Sequence, residues 1–173
     1  DSRTDGNPDV NFPIRAQEVT AEQINTLEDL KAFEVVIIGA SGTYDALVNI
    51  APALRQWVEA GGGLVASSPI ISEASGTNSY AAPIADIDAI VPVNTSGYPD
   101  YQWTDSDLLI TDSSHPVTQG VVNFSVMGTQ SAAIDSGAVV LGTHDGRPVV
   151  VAATVGAGRS VYLGPSYAES STG

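Results

Sequence analysis

Two short apolar runs, separated by one amphipathic segment, constrain the fold of this chain more than any other feature. The run from Glu34 to Gly39 is almost wholly apolar and β-branched, and a second run, Leu64 to Ala66, follows three consecutive glycines. Such runs are typical of strands buried on both faces of a parallel sheet. Between them Ile50, Leu54 and Trp57 recur at helical spacing. The order strand, helix, strand predicts a right-handed βαβ unit.

The ends of the predicted helix are assigned from a proline and a glycine. Pro52 suits the first turn of a helix, where no backbone N–H is needed, and Gly61 suits its C-terminal stop. Later in the chain, the runs 138–142, 148–155 and 160–163 are typical of strands. The last two flank a Gly-Ala-Gly connection that predicts a hairpin. The sequence therefore predicts parallel α/β structure early and antiparallel β structure late.

Charge excludes several classes of partner. The chain has 20 acidic and 6 basic residues, a formal net charge of −14. Too few cations are present to form a basic patch for nucleic acid or for an anionic membrane surface. No run approaches the roughly 18 apolar residues that span a bilayer, so we expect no membrane insertion. The acidic excess favours a secreted or cell-surface protein, although a genome-wide bias in composition explains it equally well.

The chain contains no cysteine, and it begins at Asp1 with neither a methionine nor a signal peptide. The first fact excludes disulfides, thiolate metal sites and cysteine nucleophiles. From the second we expect a processed form or a piece of a longer protein.

Five segments in a fixed order resemble the class I glutamine amidotransferase-like superfamily, and in particular its ThuA-like and β-galactosidase trimerisation-domain branches. The segments are LKAFEVVII (30–38), LRQWVEAGGGLV (54–65), HPVTQGV (115–121), GRPVVV (146–151) and GAGRSVYLG (156–164). The resemblance implies a three-layer α/β domain with a mainly parallel, flavodoxin-like sheet and an antiparallel C-terminal extension. It places that domain at residues 14–165, between an N-terminal linker or extension (1–13) and a flexible tail (166–173).

Two departures from the superfamily pattern bear on function. The chain enters after the usual first strand, which leaves an open sheet position that another segment or a second copy of the chain could fill. The stretch Ala66–Pro69 stands where catalytic members carry a cysteine. Amidotransferase chemistry is therefore excluded, and the resemblance implies a non-catalytic member.

A serine hydrolase is the alternative. Ser67 or Ser68 follows a predicted parallel strand, where open α/β sheets bind their ligands. His115 is the expected base and His144 the alternative, with Asp112 as the orienting carboxylate and Asp135 or Asp145 as substitutes for it. The Gly-x-Ser-x-Gly elbow is missing, and a polar loop explains the serines as well.

Other polar and aromatic residues are candidates for ligand binding. His144 precedes an Asp-Gly turn signal and is expected to be exposed. Tyr98, Tyr101 and Trp103 lie in a predicted loop, where they could form a glycan platform, a protein hot spot or a plug over the end of the sheet. The residues predicted to bind a ligand are Ser41, Ser67, Ser68, Tyr98, Tyr101, Trp103 and His115.

A calcium loop is weakly suggested by Asp1, Asp5 and Asp9, which match its spacing around Gly6. Arg3 occupies a ligand position, and a turn-rich linker explains the segment better. No other cofactor is expected. The sequence thus favours a non-catalytic extracellular module that binds protein or glycan, or self-associates by strand complementation. The hydrolase acting on a sugar or ester is the second hypothesis.

Overall fold

The structure is a computed structural model that describes residues 15–39, 43–77 and 81–165. A 3₁₀ turn at Ala21–Gln23 precedes four helices and seven strands in these residues. In chain order they are α1 (Leu27–Leu30), β1 (Val35–Ile38), α2 (Tyr44–Glu59), β2 (Gly63–Ser67), α3 (Pro69–Ala74), α4 (Ala85–Asp88), β3 (Asp100–Ile110), β4 (Phe124–Ser131), β5 (Val139–His144), β6 (Arg147–Val155) and β7 (Gly158–Leu163).

The predicted βαβ unit is present. β1 and β2 pair in parallel, and α2 connects them. The α2 residues predicted to share one face are buried, with Leu54 completely enclosed and Trp57 6% exposed. The side chain of Thr43 caps the helix by accepting a hydrogen bond from the Ala46 N–H at 3.2 Å.

The prediction for Pro52 was wrong, because this residue lies within α2 and not in its first turn. The helix begins directly after its cap, Thr43, which lies nine residues before Pro52. Pro52 is on the exposed side of α2, and Val48, whose carbonyl would have bonded to the missing N–H, is 45% exposed. Water can therefore solvate that carbonyl, which lowers the cost of an interior proline.

The predicted fold class, a three-layer and mainly parallel sheet, was also wrong. The strand order is β1-β2-β7-β6-β5-β3-β4, and in the described residues only the β1–β2 and β2–β7 pairs are parallel. The sheet is instead mixed and curls into half a barrel. The physical reason is a shortage of covering helices, since α2 is the one described helix longer than six residues. β1 accordingly buries one face, while Ile37 on its other face is 72% exposed.

The curl brings the last strand of the sheet order back toward β7. Beyond the end of β7, the Gly164 carbonyl accepts a hydrogen bond from the Gln130 N–H of β4 at 2.8 Å, and Thr129 forms a bridge with Pro165. Two apolar clusters fill the fold. The larger lies between α2 and the sheet, and a smaller one contains Leu108, Leu141, Val149, Val150 and Ala152.

The predicted β6–β7 hairpin is confirmed, and it packs against the end of α2. The Ala157 N–H donates to the Glu59 carbonyl at 2.8 Å, which satisfies one of the last carbonyls of the helix. A Cβ on Gly158 would lie 2.0 Å from the Val58 carbonyl oxygen and 2.4 Å from that of Gly62. The contact is therefore available only to a residue without a side chain.

We predict that Gly158→Ala lowers the free energy of unfolding by more than about 3 kcal/mol, because a methyl group would force the hairpin off α2. Gly39→Ala is the matched control, since a Cβ there meets no atom within 4 Å. Urea denaturation should show the control within about 1 kcal/mol of the wild type. Equal midpoints for the two variants would contradict the proposed packing constraint.

Candidate functional site

Three aromatic side chains form a shelf at the start of β3. Tyr98 is 67% exposed and Trp103 69% exposed, while Tyr101 between them is half-buried. The Tyr101 and Trp103 rings are parallel within 5°, with centroids 6.2 Å apart, and Tyr98 meets Tyr101 edge-on at 6.1 Å. We call these three residues the aromatic shelf. Tyr101 and Trp103 lie in a strand, so their predicted position in a loop was wrong.

Contacts with β4 and α3 hold two rings of the aromatic shelf in place. Trp103 lies over Gly128 of β4, where an added Cβ would be 3.0 Å from the indole ring. The Tyr101 hydroxyl is 2.9 Å from the Ser72 Oγ of α3, and Ser72 also donates to the Gln130 side-chain oxygen at 3.3 Å. The Trp103 ring is thus fixed by β4, and the Tyr101 ring by α3.

An open groove of about 430 Å³ adjoins the shelf, and Tyr98 belongs to both. Its polar lining includes Asn94, Asp100 and Arg147. Arg147 Nη1 lies 2.7 Å from Asp100 Oδ2, which makes an ion pair. The N–H bonds of this nitrogen are not aligned for a hydrogen bond with that oxygen or with any other described atom. At 2.7 Å the Asp100 carboxylate nevertheless engages this guanidinium nitrogen, so the groove wall carries an ion pair.

The two serines of the hydrolase hypothesis are buried. Ser67 ends β2 and is 8% exposed, and Ser68 precedes α3 and is 1% exposed. His115 follows β3, and four strand spacings separate β3 from β2 in the sheet order. At ~4.8 Å per spacing this is roughly 19 Å along the curled sheet, against the ~3 Å that a nucleophile and its base require. The structure thus places the serines and His115 in different parts of the sheet.

His115 and Asp112, by contrast, share one turn. The Val117 N–H donates to His115 Nδ1 at 3.2 Å, and Asp112 Oδ1 accepts from the Ser114 Oγ at 2.7 Å. The bond from Ser114 holds the pKa of the Asp112 carboxyl below its usual range. Both groups are engaged within their own turn, as expected for residues that stabilise a loop.

His144 is fully buried, so the expectation that it is exposed was wrong. Its Nε2 lies 2.7 Å from the Ser106 Oγ and its Nδ1 lies 3.0 Å from the Thr129 Oγ1. Ser106 also donates to Asp145 Oδ1 at 2.8 Å. Serine therefore stands between histidine and aspartate, whereas in a catalytic triad the histidine is in the middle.

The turn after His144 follows the prediction, because Asp145 and Gly146 have φ values of 49° and 75°. Asp145 accepts hydrogen bonds from Thr104 and Ser106, and these bonds lower the pKa of its carboxyl. The burial of His144 could not be foreseen from this local turn signal, because its partners come from β3 and β4.

Glu73 of α3 is a candidate that sequence reasoning missed. Its Oε2 is buried and has no hydrogen-bond partner in the described part of the chain. Burial raises the pKa of this half-buried carboxyl to about 7. A carboxyl group with this pKa, in the helix that follows a parallel strand, is a functional candidate. A single glutamate in an Ile-Ser-Glu-Ala context carries no sequence signal of this kind.

Several predicted site residues lie outside the described residues, namely Ser41 and the calcium candidates Asp1, Asp5 and Asp9. Within residues 15–39, 43–77 and 81–165, no group of three or more His, Asp or Glu side chains is placed to hold a metal ion. No helix in those ranges is long and apolar enough to cross a membrane.

We predict that the stability of the protein falls as pH rises from about 4.5 to 7, because the unfolded Glu73 releases its proton in this window while the folded one retains it. Glu73→Gln removes this pH-dependent contribution to the free energy of unfolding. Above pH 7 the variant should gain on the order of 1–2 kcal/mol over the wild type, after allowance for solvent screening. Glu18→Gln, at an exposed position, is the control. Urea denaturation across pH 4–8 measures the effect, and parallel profiles for wild type and Glu73→Gln would contradict it.

Neither a family model nor a curated protein matches the sequence. Among solved structures, cytoplasmic protein STM1381 from Salmonella typhimurium LT2 is 16% identical with a TM-score of 0.66, over 82% of this chain and 64% of its own. Cytoplasmic protein STM3548 from Salmonella typhimurium is 15% identical with a TM-score of 0.67, over 84% and 67%. β-Galactosidase from Bacillus circulans sp. alkalophilus is 14% identical with a TM-score of 0.52, over 79% and 21%.

At these identities the matches show a shared fold. The chain spans about two thirds of the length of the two Salmonella proteins and about one fifth of the β-galactosidase. The predicted likeness to a domain of β-galactosidases is therefore confirmed at the level of the fold.

Proposed function

We propose that this chain is a non-catalytic binding module with a class I glutamine amidotransferase-like fold, and that it binds its partner on the aromatic shelf. The observation that carries the proposal is the pair of exposed rings, Tyr98 and Trp103, beside a groove whose polar lining includes the Arg147–Asp100 ion pair. Exposed aromatic residues next to polar groups are typical of interaction sites. Trp103 already packs over Gly128 before binding, which lowers the entropic cost of association.

The absence of a nucleophile supports a module without catalysis. The chain has no cysteine, and Ala66–Pro69 occupies the corner where catalytic members of the superfamily carry one. Ser67 and Ser68, which stand there instead, are buried and lie far along the sheet from His115. No observation favours the hydrolase over the binding module.

Self-association at β1 is the second part of the proposal. β1 is the first strand in the sheet order, and its outer edge has no partner strand among the described residues. Val35 is 51% exposed and Ile37 72% exposed on this strand. Exposed β-branched residues on a sheet edge favour pairing with another strand. Two copies of β1 related by a two-fold axis would satisfy the unpaired backbone N–H and C=O groups of each other's edges.

The module would belong to a larger or associated protein. The occurrence of the fold as about one fifth of a β-galactosidase supports this view. An extracellular setting is supported by the acidic composition alone. The two Salmonella proteins with this fold are described as cytoplasmic, which speaks against that setting.

We expect the purified protein to hydrolyse neither p-nitrophenyl esters nor p-nitrophenyl glycosides above the background rate, because the predicted base, His115, follows a strand four spacings along the sheet from β2. The variant with both Ser67→Ala and Ser68→Ala should be indistinguishable from the wild type in a spectrophotometric assay. A wild-type rate that disappears in this variant would refute the non-catalytic proposal and would support the hydrolase.

For self-association we expect sedimentation velocity to show species larger than the monomer as protein concentration rises. Ile37→Lys should shift the equilibrium toward monomer at least about tenfold, because a lysine on an edge strand opposes strand pairing. Val48→Lys adds the same charge on the exposed side of α2 and should leave the equilibrium unchanged. A wild type that remains monomeric at all concentrations would rule out the β1 interface.

A further inference from the structure

We propose that the aromatic shelf and the adjoining groove bind a neutral oligosaccharide. This inference rests on the proposed binding function and names the chemical class of the ligand. It is carried by three features of the described surface: flat exposed rings, hydrogen-bonding groups that match hydroxyls, and a charge that excludes anions.

The rings present a rigid apolar surface. Trp103 packs over Gly128, and the Tyr101 hydroxyl is fixed by Ser72, so neither ring must be ordered when a ligand arrives. The C–H face of a pyranose is apolar and flat, and it complements the electron-rich face of an aromatic ring. Tyr98, whose ring is inclined at 61° to that of Tyr101, adds a third aromatic ring at the groove.

The groove offers both donors and acceptors. The Asn94 side-chain oxygen already accepts from the Ser96 N–H at 3.1 Å and from its hydroxyl at 2.9 Å, which leaves the amide N–H bonds of Asn94 to donate to a ligand. The Arg147–Asp100 ion pair supplies guanidinium N–H groups and carboxylate oxygens to the same lining. A sugar hydroxyl both donates and accepts, so vicinal hydroxyls can use these groups together.

Charge selects a neutral ligand over an anionic one. The chain carries a net charge of −14, and the guanidinium of Arg147 already faces Asp100 at 2.7 Å. A phosphate or uronate would meet a repulsive field with no cation free to offset it within the groove lining. Neutral hydroxyl groups avoid that repulsion.

The test is isothermal titration calorimetry of the full chain with β-1,4-linked gluco-, manno- and galacto-oligosaccharides, and with oligogalacturonides as the anionic counterpart. We expect binding of at least one neutral series and none of the anionic series. Tryptophan fluorescence should change on binding, because Trp103 is 69% exposed whereas Trp57 is 6% exposed.

Trp103→Ala and Tyr98→Ala should each weaken binding at least about tenfold, whereas Trp103→Phe keeps a stacking ring and should lose less. Met127→Ala removes an equally exposed apolar side chain of the neighbouring strand β4 and should bind like the wild type. Thermal denaturation of each variant confirms that the fold is intact.

Three results would overturn the inference: no binding of any neutral series at concentrations on the order of 10 mM, preferential binding of the anionic series, or binding that is unchanged in Trp103→Ala and Tyr98→Ala. Failure of the proposed function would look different. A neutral oligosaccharide that binds on the shelf and is also cleaved, with cleavage lost in the Ser67→Ala, Ser68→Ala variant, would preserve the ligand class and refute a module without catalysis.

Discussion

The contact between the β6–β7 hairpin and the end of α2 determines where the rest of the sheet can go. Two backbone hydrogen bonds make it, from Ala157 to the Glu59 carbonyl at 2.8 Å and from Arg159 to the Gly62 carbonyl at 3.2 Å. Because Gly158 has no side chain, the two backbones can approach this closely. The contact places β7 beside β2, and β7 is the strand at which the sheet changes from parallel to antiparallel.

The aromatic shelf depends on this change of direction. The antiparallel half curls until the Gln130 N–H reaches the Gly164 carbonyl just beyond β7. The start of β3 then lies against α3, where Tyr101 meets Ser72. Residues more than 25 positions apart in sequence are thereby joined into one surface.

Local patterns predicted what depends on local forces. The apolar runs gave β1 and β2, the helical spacing gave α2, and the Gly-Ala-Gly connection gave the hairpin. The fold class was mispredicted because a β-branched run has the same composition whether one or both faces are covered, and Ile37 is in fact exposed. Trp103 was assigned to a loop because the segment around it becomes a strand only by pairing with β4, which comes later in the chain.

The network around His144 shows why residue types alone could not decide the chemistry. Serine, histidine and aspartate are all within hydrogen-bond distance of a neighbour, as a hydrolase would need. The Ser106 hydroxyl has one proton, and Asp145, whose carboxyl pKa is lowered, can only accept when ionised. Ser106 therefore donates to Asp145, and His144 must donate its Nε2 proton to Ser106. A histidine that donates to serine cannot remove the serine proton, so this arrangement fixes β3 to the β5–β6 turn and does not create a nucleophile.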